Sequence, residues 1–149
     1  MPKKLENYTL EIAVKGSASK AFTALSQHVH LWWGATTNAT SNVGDEFTVS
    51  FGDANWSFRV TDFVANAKIT WECIGGNPDF NAEWIGDTLY WTIEQIGDTV
   101  KISLVQVGLT PDMNCYDICN AGWNFFITNS LQAFLETGVG NFNFTTPSM

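Results

Sequence analysis

From Glu46 to Val107 apolar residues recur at every second position, and only from Asn114 to Thr137 do they recur at three- and four-residue steps. A period of two marks a strand with one face buried, and a period near 3.6 marks an amphipathic helix. A chain ordered as many strands followed by one closing helix must lay that helix across a curved sheet. One rod cannot flatten onto so many twisted strands, so this order predicts space between helix and sheet.

The individual runs support that order. Tyr8, Leu10, Ile12 and Val14 share one face of a first strand, which Gly16 ends. Ser17 or Ser19 can cap a short helix with Ala18, Ala21, Phe22 and Leu25 on its apolar side, and a second helical turn should hold His28 to Trp33. Thr36 to Gly44 has no period and reads as loop. Strands then follow through Phe47, Val49 and Phe51; Trp56, Phe58 and Val60; Ile69, Trp71 and Cys73; Leu89, Trp91 and Ile93; and Val100, Ile102, Leu104 and Gln106. Gly52-Asp53, Asn66-Ala67 and Gly97-Asp98 supply turns, and Gly75-Gly76-Asn77-Pro78-Asp79 opens a longer connection. Gly44, Gly75, Gly76 and Gly108 are candidate breaks and bulges.

Thr110-Pro111-Asp112 suits a helix start, since proline is tolerated in a first turn. Tyr116, Cys119, Trp123, Phe126, Ile127 and Phe134 form one stripe of that helix, Gly138 is its expected stop, and Phe142 and Phe144 are expected to fold back on the body. Short turns between consecutive strands call for antiparallel pairing, except where the first strand returns to the sheet. The fold class is therefore α+β: a curved antiparallel sheet of about six strands around a long C-terminal helix, with two short helices after the first strand. Residues 1–149 form a single domain.

Composition removes several classes of function. The net charge is −8, and four of the seven cations (Lys3, Lys4, Lys15, Lys20) fall in the first twenty residues. Such a chain repels phosphate backbones and anionic membranes, so no nucleic acid and no membrane insertion are expected. No apolar run follows Lys3-Lys4 as in a secretory leader, and none approaches the length needed to span a bilayer. The three cysteines read as reduced thiols, and the expected location is cytoplasmic.

Ala21-Phe22-Thr23-Ala24-Leu25, Trp32-Trp33 and Val43-Gly44-Asp45-Glu46-Phe47 together resemble the opening of the START-like (SRPBCC) superfamily. Within it the chain is most similar to the branch named after the activator of heat-shock-protein-90 ATPase. Val60-Thr61-Asp62-Phe63, Ile69-Thr70-Trp71, Asp98-Thr99-Val100, Val107-Gly108-Leu109 and Gly122-Trp123 extend the likeness over nearly the whole chain. The resemblance implies a helix-grip fold with a hydrophobic cavity between curved sheet and C-terminal helix. It implies little about activity, because that superfamily holds carriers, receptors, cyclases and a co-chaperone.

The candidate site is drawn from inward-facing residues. Seven Trp and eleven Phe exceed what filling a core of this size requires. Trp33, Phe47, Phe58, Trp71, Trp91 and Trp123 all fall on faces assigned inward, as does Gln106, while Asn120 lies at the margin of the helical stripe. Such rings either pack as a solid core or wall a pocket, and the grip geometry favours the pocket. The expectation is a binder of a hydrophobic or aromatic small molecule, lipid included, in preference to an enzyme. The alternatives are a cyclase- or hydrolase-like enzyme on a polyketide-type substrate, using Asp62, His28 or Gln106, and a chaperone-interacting module. Chaperone contact and a homodimer are the protein partnerships in view.

No cofactor or metal is expected. His28 and His30 lack a third ligand, and Cys115 and Cys119 share an apolar helix face that suppresses thiolate reactivity. No phosphate-binding loop, dinucleotide fingerprint or nucleophile elbow is present.

Overall fold

The computed structural model describes residues 7–51, 54–77, 83–110 and 116–141. The features expected at Gly52-Asp53, Pro78-Asp79, Pro111-Asp112, Cys115, Phe142 and Phe144 lie outside the described residues. Strand β1 (Tyr8–Lys15) leads to helix α1 (Ala18–Ser26), capped by Ser17, whose Oγ accepts from the Lys20 N–H at 3.1 Å. A 3-10 turn, Val29–Leu31, follows. The strands are then β2 (Ala35–Thr36), β3 (Glu46–Phe51), β4 (Ala54–Val64), β5 (Lys68–Asn77), β6 (Thr88–Ile96) and β7 (Thr99–Val107). The closing helix, α2, is α-helical over Tyr116–Phe125, widens to a π-helix over Phe126–Leu131 and returns to α over Gln132–Thr137. Gly138, at φ 86°, ends it as expected.

The sheet runs β1-β7-β6-β5-β4-β3-β2. It has seven strands where about six were expected, because Ala35–Thr36, at the start of the stretch from Thr36 read as loop, pairs with Val49 and Ser50 as a short edge. The return of β1 also differs from expectation, since it is antiparallel, Tyr8 facing Gln106 and Lys15 facing Thr99. Helix α1 carries the chain to the opposite edge, so β1 and β7 are free to run in opposite senses.

Two extra residues bend the sheet. Ser57 faces Gly75 while Phe58 faces Cys73, leaving Ile74 unpaired; Val60 faces Trp71 while Asp62 faces Thr70, leaving Thr61 unpaired. The first break lies beside an expected glycine. The second lies at a threonine, and it inverts the alternation by which Asp62 would share the inward face of Phe58 and Val60. Asp62 points out to solvent and pairs with Lys68 at 2.9 Å, while Phe63 turns in against Phe22 with ring centroids 4.9 Å apart. Asp62 is thereby removed as a proton-handling candidate.

The outer face of the sheet is laced with exposed ion pairs, Arg59 with Glu46 and Glu72, and Lys101 with Glu11 and Glu94. Its inner face is apolar: Leu89, Trp91 and Ile93 of β6 and Val100, Ile102 and Leu104 of β7 are buried. Helix α2 lies across this face at an incline. Its last turns approach β1 and α1, whereas Tyr116–Phe125 reaches the sheet through side chains, Tyr8 Oη donating to Asn124 Oδ1 at 2.8 Å and Trp123 Nε1 donating to Gln106 Oε1 at 2.8 Å.

The π segment alters the stripe that faces the sheet. Ser130 and Leu131 are buried, and Phe134 is only half-buried against His28. Ser130 Oγ donates to the Trp32 carbonyl and accepts from the Asn141 N–H at 2.9 Å, tying the π turn to the segment that carries Trp33.

Candidate functional site

All six aromatic residues assigned inward meet in one buried cluster. Parity places Phe47, Phe58, Trp71 and Trp91 on the concave face of β3 to β6, and the helical stripe brings Trp123 down onto them. Phe47 and Phe58 are in contact at 5.4 Å, and Phe58 and Trp71 likewise at 5.4 Å. Trp91 meets Trp71 at 5.5 Å and Trp123 at 5.7 Å, both edge to face. These are ordinary distances for attractive ring pairs.

Two rings, Trp33 of those six and in addition Trp84, occupy the gap between the layers, and both hang from connections. Trp33, just beyond the 3-10 turn, lies parallel to Trp71 at 6.2 Å on the sheet side and touches Trp123 at 4.7 Å on the helix side. Trp84, in the turn before β6, touches Trp56 at 5.1 Å and stacks on Trp123 at 5.9 Å. The space expected between helix and sheet thus holds two loop-borne indoles. A shallow surface depression of about 490 Å³, lined by Gln27, His30, Ala35, Thr36, Asn38 and Ala39, includes none of these rings.

Polar groups inside the cluster form one chain. Gln106 points inward as its parity predicts and is fully buried. Its Oε1 accepts from Trp123, and its Nε2 donates to Asp87 Oδ2 at 3.0 Å, so both ends of the amide are engaged by the protein. Asp87 is 8 % exposed, and burial pushes its carboxyl up to about 6 against the lowering effect of the Gln106 hydrogen bond. Gly108, at φ 114°, leaves room for that carboxyl, since a Cβ there would lie 2.0 Å from Asp87 Oδ1. Asn120 is half-buried at the helix margin.

Trp84 and Asp87 were not among the sequence candidates. Each lies in a connection, where alternation says nothing about direction; the sole hint was a tryptophan and a carboxylate flanking Gly86. His28 is half-buried and His30 exposed. Among the described residues no three metal-ligating side chains stand together. Cys119 is buried, as its stripe implied, and burial raises the buried Cys73 thiol to about 12.

A curved antiparallel sheet gripping a C-terminal helix through an aromatic interior defines the START-like helix-grip fold. The Aha1 dimer from Colwellia psychrerythraea shares it at TM-score 0.77 and 23 % identity, over 90 % of this chain and 98 % of that one. DynU16, from the dynemicin biosynthetic locus, does so at TM-score 0.70 and 17 % identity, over 93 % of this chain and 49 % of its own. A protein from Arthrobacter aurescens superimposes at TM-score 0.73 and 10 % identity, over 97 % of this chain and 98 % of that one. At these identities the likeness is one of fold. No family model and no curated protein matches the sequence. Among the described residues no helix is long and apolar enough to cross a membrane.

Proposed function

We propose that the protein binds a flat, apolar small molecule between the curved sheet and α2, in space now held by Trp33 and Trp84. The observation that carries this reading is the origin of those two rings. The Tyr116–Phe125 part of α2 meets the sheet directly through Trp123 and Asn124, and the remaining gap is bridged by indoles borne on connections, which move more readily than strands or helices. A ligand of similar thickness exchanges one ring contact for another. Its affinity comes from apolar surface removed from water at roughly 25 cal/mol per Å².

The neutral dye 6-propionyl-2-(dimethylamino)naphthalene, which carries a carbonyl and no N–H or O–H, tests the reading. Bound dye should gain fluorescence and accept excitation from the indoles. Trp33→Ala, which vacates the space, should tighten binding. The reading is lost if wild type and variant both leave the dye dark while remaining folded, and native mass spectrometry of fresh protein would show any ligand that copurifies.

One observation favours a second, enzymatic reading. Asp87 is the buried carboxyl among the described residues, and at about 6 it exchanges protons near neutrality. Its engagement by Gln106 and its seat on Gly108 suit positioning of the Trp123 ring more than proton transfer, which leaves binding as the preferred function.

A further inference from the structure

We infer that the molecule taken up here is neutral and carries hydrogen-bond-accepting oxygens of the carbonyl, ester or ether kind. The inference rests on the binding function proposed above and is drawn from the polar inventory of the interior.

The fold pairs the indole N–H of Trp32 with the Ala24 carbonyl at 2.8 Å and that of Trp123 with Gln106 at 2.8 Å. Among the described residues there is no acceptor for Nε1 of Trp71, Trp84 or Trp91, all buried. Buried donors are almost always paired, because an unmade bond forfeits the water left behind. Three exceptions in one neighbourhood mark a place where acceptors are supplied from outside. The rings are contiguous: Trp71 touches Trp91, Trp91 touches Trp123, and Trp123 touches Trp84.

The rest of the inventory narrows the chemistry. Among the described residues, the buried side-chain polar atoms standing without a partner include no acceptor, since Gln106 Oε1 is taken by Trp123 and Asp87 Oδ2 by Gln106. A hydroxyl or amine on the ligand would find no orphaned acceptor of this kind to match it. Among the described residues an anionic ligand would meet no cation there, because Arg59, Lys68 and Lys101 form pairs on the outer face and Lys15 and Lys20 are exposed. What fits is a flat skeleton whose polar atoms accept without carrying charge. The fit is selective, since a site of unpaired donors rejects a bare hydrocarbon of the same shape.

The test uses the full chain with 15N-labelled indoles, assigned through Trp71→Phe, Trp84→Phe and Trp91→Phe. It is titrated with 9-fluorenone and with fluorene, which share a ring skeleton and differ in one carbonyl oxygen. Fluorenone should bind at least about tenfold more tightly, the gain of one hydrogen bond to a buried donor, and should move the indole proton of Trp71, Trp84 or Trp91 downfield. At least one of the Phe variants should lower fluorenone affinity about fivefold or more and leave fluorene unchanged. Equal affinity for the two compounds would mean that ring faces or water already serve these donors, and the inference falls while apolar binding stands. If neither compound binds, both readings fall.

Discussion

Replacing Asp87 by asparagine should change how stability depends on pH, and the size of the change follows from where the carboxyl sits. Burial raises it from 3.8 to about 6, so ionisation is harder in the folded chain than in the unfolded one. A group raised on folding contributes its full stability below the unfolded value and loses it as pH climbs through the folded value. At about 1.4 kcal/mol per pH decade, the interval between 3.8 and about 6 amounts to roughly 3 kcal/mol lost by neutral pH.

Asparagine keeps an acceptor for Gln106 and does not titrate. Its amide places a donor against Gly108, which adds a penalty that is the same at every pH. The informative quantity is therefore the difference between variant and wild type. It should move in favour of Asp87→Asn by about 3 kcal/mol between roughly pH 4 and pH 7, and stay level above that. Groups common to both proteins cancel, including Asp62, whose carboxyl the Lys68 hydrogen bond lowers. Urea unfolding of both proteins across that range measures the difference, and the thermal midpoints should separate by roughly 6–12 °C over the same interval. Parallel stability curves would refute the account of Asp87 as a carboxyl made reluctant to ionise by burial.

Gln106→Leu strands the Trp123 N–H and the Asp87 carboxyl together and should cost about 2–5 kcal/mol by urea unfolding, with the Asp87 titration moving above 6 in a carboxyl-detected NMR experiment. Gly140→Ala would bring a Cβ to 2.4 Å from the Leu31 carbonyl oxygen; it should destabilise by about 1–3 kcal/mol and weaken the near-ultraviolet circular dichroism, because Trp33 is held by the same segment. Trp33→Ala should cost about 3–5 kcal/mol and remove much of that signal, since Trp33 contacts indoles in both layers. Cys73, raised to about 12, should stay unmodified by iodoacetamide at neutral pH until the chain is unfolded, as read by peptide mapping.

The inward direction of most candidate residues was legible from strand parity. Phe47, Phe58, Trp71, Trp91 and Gln106 all turn inward as alternation requires, and Trp123 follows from the helical stripe. The same rule failed at Asp62, where the unpaired Thr61 inverts the face. Such an inversion is inherent in a period of two, because one added residue moves every later side chain to the other side. The π turn did similar work on α2, burying Ser130 and Leu131 in preference to Phe134.

Residue periodicity alone defines the layers: which stretches are strands, which is the closing helix, and which of their faces are apolar. Direction along a strand or helix is a local geometric property, repeated every two or every 3.6 residues, so it is readable without knowing what lies opposite. Tertiary structure decided what fills the space between those layers. Trp84 and Asp87 sit in connections, where no period aims a side chain, and each takes its position from partners on other elements, Trp56 and Trp123 for the one and Gln106 and Gly108 for the other; Trp33, expected to face inward, owes its place between Trp71 and Trp123 to the same packing.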